Sequence, residues 1–231
     1  MSLDEAAPAV RAAAERVFGA HINQAAGYVE LLARHGVERG LIGPREVERL
    51  WDRHVLNSAV IGEHIPDGAR VVDVGSGAGL PGVPLAIARP DLSIVLLEPM
   101  ARRVDWLAEV AEKLELPITI VRGRAEERSV REQLGGADIV TARAVAPLAR
   151  LAEWCLPLVR PDGSLVALKG ASAGEEIERD RAAVRKAGGA DPELAECGAA
   201  VLKVPSTVVL IRRLPPKSPR ASKPRPRGRK S

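Results

Sequence analysis

The sequence predicts a doubly wound α/β sheet of seven strands behind an all-helical N-terminal extension. Three observations carry this. From Arg70 onward, short apolar runs alternate with stretches long enough for crossover helices. The first run opens into a glycine-rich turn, "DVGSGAGLPG" (73–82), at the place where a doubly wound sheet meets its ligand. The last two runs are separated only by Pro205 and Ser206, as in a hairpin.

Residues 1–66 read as the helical extension or lid. In "AVRAAAERVFGAHINQAAGYVELLARHG" (9–36) the apolar residues Val10, Ala14, Val17, Phe18, Tyr28, Leu31 and Leu32 are spaced for one helix face, with Gly19, Gly27 and Gly36 as breaks or ends. "REVERLWDRHVLNSAVIGEHI" (45–65) reads as a second amphipathic helix with Leu50, Val55 and Ile61 inward. Residues 67–214 form the sheet domain, with strands expected at 70–75, 93–99, 118–123, 137–143, 164–170, 200–204 and 207–213. Five parallel strands followed by an antiparallel pair imply an inserted seventh strand.

The formal charge of +4 hides an uneven distribution. The last 17 residues, "PPKSPRASKPRPRGRKS", hold seven of the 34 Lys and Arg, so the remaining 27 are outnumbered by 30 Asp and Glu. A proline-spaced basic segment without apolar residues has nothing to bury against its conformational entropy. Residues 215–231 are therefore expected to be a disordered cationic arm for a polyanion or, on the plainer reading, a passive tail. No stretch approaches the roughly 18 apolar residues of a membrane span, and "MSLDEAAPAV" is not a signal peptide, which points to the cytoplasm and no membrane partner. Cys155 and Cys197 lack C-x-x-C partners and read as inert thiols; no metal site is expected.

The glycine turn admits two readings. Counted from Gly75 at the strand end, the third glycine of a dinucleotide G-x-G-x-x-G falls on Leu80, and the pattern fails; counted from Gly77, "GAGLPG" satisfies it but needs the strand to continue through Ser76 and puts Pro81 and Pro84 at the helix opening. The alternative, Gly75, Gly77 and Gly79 with Asp73 upstream, places an acid that would repel a pyrophosphate but suits the cationic sulfonium and amino group of S-adenosyl-L-methionine. A tight turn with Asp73 as a buried cap remains the purely structural alternative. Glu98, nineteen residues after Gly79, can accept the hydroxyls of an adenosine ribose, and "RGRAEE" puts Ala125 and Glu126 where an adenine would lie or, equally, starts a solvated helix. These features describe a Rossmann-like class I S-adenosylmethionine-dependent methyltransferase; an NAD-dependent oxidoreductase on the same sheet is the competing reading.

The stretches "DVGSGAGLPGVPLAI", "LLEPMARRVDWL", "GRAEE", "ARAVAPL" and "ALKG", with "RHVLNS" (53–58) upstream, resemble the bacterial glucose-inhibited division protein B family of 16S ribosomal RNA guanine-N(7)-methyltransferases over roughly residues 25–213. The resemblance implies methylation of a guanine in the 530 loop of 16S ribosomal RNA; the small ribosomal subunit is the expected setting, and a monomer is the default expectation. It places Gly75 and Leu80 on the methionine and ribose portions of the donor, Glu98 on the ribose, and Ala125 and Glu126 at the adenine. Arg143 lies near both donor and target base as the catalytic residue, and Lys169 near RNA phosphate. Without it, Arg143 reads as a member of an ion pair and Lys169 as a snorkelling surface lysine. Two departures stand out: the family's asparagine-leucine-threonine segment is missing before "RHVLNS", and Ser206 and Thr207 replace an arginine-histidine pair.

"TARAVAP" at the end of the fourth strand carries neither the Asn/Asp-Pro-Pro-aromatic loop of amine methylation nor a nucleophilic cysteine. Nitrogen 7 of guanine has an in-plane lone pair and loses no proton, so no general base is needed. Phe18, Tyr28, Trp51, Trp106 and Trp154 are all spaced like helix core residues, which leaves RNA recognition to arginine, shape and phosphate contacts. A non-catalytic RNA-binding assembly protein is the second competing reading.

Overall fold

The computed structural model describes residues 3–216; the cationic arm from Lys217 onward lies outside the described residues. The extension begins with α1 (Pro8–Phe18), opened by proline in the first turn and ended by Gly19 at φ 49°. α2 (Ile22–His35) follows and runs through Gly27 without a break. That glycine serves packing: a Cβ there would stand 2.9 Å from Leu114 Cδ2.

The expected single helix at 45–65 is instead a chain of tighter and wider turns. Pro44–Arg49 is 3-10, Leu50–Val55 a π turn, α3 (Leu56–Ala59) α-helical, and Val60–His64 again 3-10. Leu50, Val55 and Ile61 are nevertheless fully buried as the pattern requires. The wider π turn carries Arg53 and His54, and such turns concentrate at functional sites.

The sheet comprises β1 (Arg70–Val74), β2 (Ser93–Glu98), β3 (Thr119–Arg122), β4 (Ala137–Arg143), β5 (Val159–Leu168), β6 (Glu193–Cys197) and β7 (Ser206–Arg212). Its order is β3-β2-β1-β4-β5-β7-β6, with β1 to β5 parallel and β7 antiparallel between β5 and β6. The expected strand at 200–204 is wrong. β6 is an edge strand that pairs only with β7, so "ELAEC" needs no apolar run. Of "AVLKV" only Val201 and Leu202 turn inward, Leu202 filling the space beside Gly198, while Val204 is exposed. The two-residue hairpin is accordingly an eight-residue connection, 198–205.

The sheet is buried on both faces. One face packs against the N-terminal helices, α4 (Gly82–Ala88) and α5 (Ala101–Lys113) in a continuous core that includes Phe18, Tyr28, Trp51, Leu85 and Trp106. The other packs against α6 (Arg128–Leu134), α7 (Leu148–Cys155) and α8 (Ala173–Lys186). Cys155 and Cys197 are buried free thiols, and Trp154 is half-buried beneath the Arg150 guanidinium. Strand order reverses direction between β1 and β4, so their carboxyl ends open the crevice where ligands bind. No helix among the described residues is long and apolar enough to cross a membrane.

Candidate active site

The turn after β1 follows the register that begins at Gly75. Gly75, Gly77 and Gly79 all have positive φ, 71°, 58° and 108°, which a side chain would resist. Gly75 and Gly79 are also crowded: an added Cβ would lie 2.9 Å from Val145 Cγ2 at the first and 2.7 Å from Val83 Cγ2 at the second. Buried aromatics hold the turn from below. Tyr28 Oη and Trp106 Nε1 both donate to the Ala78 carbonyl, at 3.0 and 2.8 Å. Neither contact was legible from spacing, which marks these rings only as core.

The two acids have different tasks. Glu98, 1% exposed, accepts the Gly77 N–H at 2.9 Å and the Met100 N–H at 3.0 Å, one on each carboxylate oxygen. Each oxygen keeps a second lone pair for a ligand. Asp73 is fully buried beneath the crevice. It accepts from Thr141 Oγ1 at 3.0 Å and from the Gly82 N–H at 3.2 Å, joining β1, β4 and α4. Burial pushes its carboxyl up to about 6, against those hydrogen bonds. Gly82 is required here, because a Cβ would meet Leu96 Cδ2 at 2.2 Å.

Above the turn lies a cavity of about 600 Å³, walled by Gly75, Gly77, Leu80, Glu98, Arg103 and Arg143 and roofed by the 41–43 segment. The structure thus gathers five of the sequence-derived residues around one space. Gly79 and Asp73 lie under it. Ala125 is buried against the opposite core and Glu126 is exposed, both outside its lining. Arg103 was missed: its Nε is buried without a partner, and its Nη1 stands 3.9 Å from Glu98. The signal was a cation in the first turn after "LLEP".

Arg143 is not an ion-pair residue. Its Nη1 donates to Ser58 Oγ at 3.0 Å and the His54 carbonyl at 3.2 Å, and its Nη2 makes a short contact to His54 Nδ1. His54 Nε2 lies 2.6 Å from Glu46 Oε2. Arginine can only donate, so Nδ1 accepts, Nε2 carries the proton, and His54 is neutral. Burial and the neighbouring Arg143 hold its imidazole below the usual value, opposed by Glu46. The sequence marked "RHVLNS" without roles; the chain Arg143–His54–Glu46 is what it builds.

Ala144, next along the chain, has φ 53° although it is not glycine, a strained conformation of the kind kept at functional sites. It begins a loop, 144–147, that separates the donor-sized cavity from a larger one of about 870 Å³. Arg53, Arg143, Ala144 and Val145 line both. Lys169 borders the larger cavity, but its Nζ is committed to the Ala146 carbonyl at 3.0 Å and Glu176 Oε2 at 2.8 Å. Glu176 also accepts the Leu148 N–H, so this pair fixes the loop. Ser206 and Thr207 border the same cavity.

A β1 turn of three positive-φ glycines, an acid at the end of β2 and an antiparallel β7 inserted beside β5 define a class I S-adenosylmethionine-dependent methyltransferase. The residues fit that donor: the turn leaves backbone exposed to a ligand, and Glu98 retains acceptor capacity. The fold is shared with a solved S-adenosylmethionine-dependent methyltransferase from Aquifex aeolicus, at TM-score 0.52 and 17% identity, covering 75% of this chain and 100% of that one. A family model described as rRNA small subunit methyltransferase G matches residues 21–204, and the chain belongs to that family. It is 58% identical over 205 residues to the ribosomal RNA small subunit methyltransferase G of Rhodococcus jostii (strain RHA1), covering 89% of this chain and 90% of the relative. To the protein of the same name from Mycobacterium marinum it is 57% identical over 201 residues, 87% of this chain and 88% of that one.

Proposed function

We propose that this protein methylates nitrogen 7 of a guanine in the 530 loop of 16S ribosomal RNA, acting as a monomer on the small ribosomal subunit. The observation that carries the reading is the shared wall. A cavity sized for the donor and a larger one meet at Arg53, Arg143, Ala144 and Val145, the end of β4, so two ligands can approach each other there.

Bound S-adenosylmethionine supplies an electrophilic methyl group. Gly75 and Leu80 would flank its methionine and ribose portions, Glu98 would accept the ribose hydroxyls, and exposed Met100 would border the adenine, with Ala125 and Glu126 beyond the cavity lining. Asp73 acts from below by fixing the turn. Arg143, held by Ser58 and His54, fixes the angle at which the guanine enters. No residue at the wall is free to serve as a base: both ring nitrogens of His54 are engaged. Nitrogen 7 requires none, since its lone pair is already available. Orientation alone is worth about 7–11 kcal/mol in favourable cases. Arg53 and Arg143 meet RNA phosphate or base, while Lys169, neutralised by Glu176, positions the loop between the cavities.

The test is transfer of a labelled methyl group from S-adenosylmethionine to small subunits from a strain lacking the modification, followed by digestion to nucleosides. Label in 7-methylguanosine, abolished by Arg143→Ala with donor binding intact, is the expected result. Label in another nucleoside would overturn the nitrogen 7 assignment, and none on subunits or naked RNA would leave the assembly-protein reading. Light scattering in the presence and absence of RNA checks the monomer.

A further inference from the structure

We propose that a third cavity, adjoining the larger one, receives the base of the nucleotide next to the methylated guanine. This rests on the RNA reading above and extends it to a second nucleotide subsite. The cavity, of about 590 Å³, lies between the start of α1 and the 201–205 segment, a size within the usual range for small-ligand sites. Ala9, Val10, Ala13 and Leu56 line one side, with Val201 and Leu202 opposite. Arg49, Arg53 and Lys203 contribute cations at its edge against the single acid Asp52.

Three observations point to a nucleotide. The first is continuity: Arg53, Asn57, Val204 and Pro205 line both this cavity and the larger one. Val204, on the ridge between them, is the most exposed large apolar side chain among the described residues, at 73%. The second is that the ridge is built. The Gly198 N–H donates to Glu63 at 3.0 Å, Arg16 Nη1 to the Ala200 carbonyl at 3.0 Å and the Leu202 N–H to the Gly198 carbonyl at 2.7 Å. The third is charge. Arg53 faces both spaces, is about half exposed and is only loosely paired, 3.9 Å from Glu46. It is placed to meet the phosphate that joins two nucleotides lying one on each side of Val204.

The chemistry of the substrate requires such a place. Nitrogen 7 lies on the major-groove edge, which in an A-form helix is too deep and narrow for side chains to read. The target guanine must therefore leave its stack, and its neighbour loses a stacking partner. RNA-binding proteins commonly replace that partner with an aromatic ring. Here Phe18, Tyr28, Trp51 and Trp106 are in the core, and an aliphatic slot with a cationic edge takes their place.

The experiment uses the full chain and the RNA substrate that the wild type methylates. Ala9 and Lys203 are exposed and line only the third cavity. In Ala9→Glu and Lys203→Glu, KM for RNA should rise about tenfold while kcat stays within about twofold. Melting temperature and S-adenosylhomocysteine binding should not change. Lys203→Ala should lower the slope of log KM against log salt by about 1. A benzophenone amino acid in place of Val204 should crosslink to the nucleotide adjoining the methylated one.

Unchanged KM in both charge variants, or a loss confined to kcat, overturns the proposal. So does a crosslink to a distant nucleotide or to the protein's own chain, which would make the cavity a seat for a protein segment. A wild type that methylates no RNA is a different failure: it removes the functional reading and this inference with it.

Discussion

At Arg143 a guanidinium rather than an ammonium is required, because one fork must reach Ser58, the His54 carbonyl and the His54 ring from a single position. His54 takes part only while neutral, since a protonated ring would turn an N–H and a positive charge toward Arg143. The groups facing the ring are Arg143 on β4, Glu46 on the preceding 3-10 turn and Arg53 beside it; two repel the imidazolium and one attracts it. Burial, the largest contribution, together with these charges holds the ring below its ordinary value. The folded protein therefore binds fewer protons than the unfolded chain as pH falls below the ordinary 6.5, and stability is lost from there down through the folded value. Turnover should fall reversibly over the same interval, with little change in donor affinity. His54→Gln cannot gain a proton in this range, so it should be slower at pH 8, by up to about 10²-fold if the guanidinium shifts by 1 Å, but without the acid limb. Single-turnover rates from pH 8 to 5 check both; a flat wild-type profile would remove His54 from the positioning of Arg143.

Among the elements, Asp73 ties two strands and a helix together through one carboxylate, and its ionisation opposes the fold. Its native value, about 6, lies above the ordinary 3.8. Between those limits the folded state holds the proton that the unfolded state has released, so this group makes stability fall as pH rises from about 4 to 6. Asp73→Asn can still accept from Gly82 and donate to Thr141, and it carries no charge to desolvate. It should flatten that part of the stability profile and leave the variant more stable at pH 7.5, by up to about 3 kcal/mol. Urea unfolding of both proteins at pH 4, 6 and 7.5 is the measurement, and an unchanged difference across the three would refute it. Asp73 also shows what a sequence discloses. Its place at the end of an apolar strand before three glycines was legible and fixed the register of the turn. That its carboxylate points down to Thr141 and Gly82 was not, because β1 and β4 are 68 residues apart in that pairing. Likewise β7 announced itself by "TVVLI", whereas β6, an edge strand needing only backbone partners, left no apolar signal and was mistaken for Val201–Leu202, which pack into the core. The half-buried ion pair of Lys169 was hidden for the same reason: its partner Glu176 belongs to the start of α8, where acids are ordinary.

On the scale of the whole molecule, the charge of the folded body and that of its substrate are at odds. Without the last 17 residues the acids outnumber the bases by three, and several cations near the cavities are already paired, Lys169 with Glu176 and Arg179 with Asp180. On the function proposed above, long-range attraction to a polyanion would come largely from the seven Lys and Arg at 217–230, with the cavity walls selecting the nucleotide. Deleting 215–231 should consequently raise KM for ribosomal RNA and lower the slope of log KM against log salt by several phosphate equivalents, each worth about 0.7–0.9. It should leave kcat at saturating RNA near the wild-type value, because Arg143, the glycine turn and both cavities belong to the body. Steady-state kinetics at several salt concentrations separate the two contributions. A truncated enzyme with the wild-type salt slope would assign the electrostatic work to the cavity rim, where Arg49, Arg53 and Lys203 would have to supply it. A loss of kcat would mean that the segment reaches the site and takes part in presenting the base.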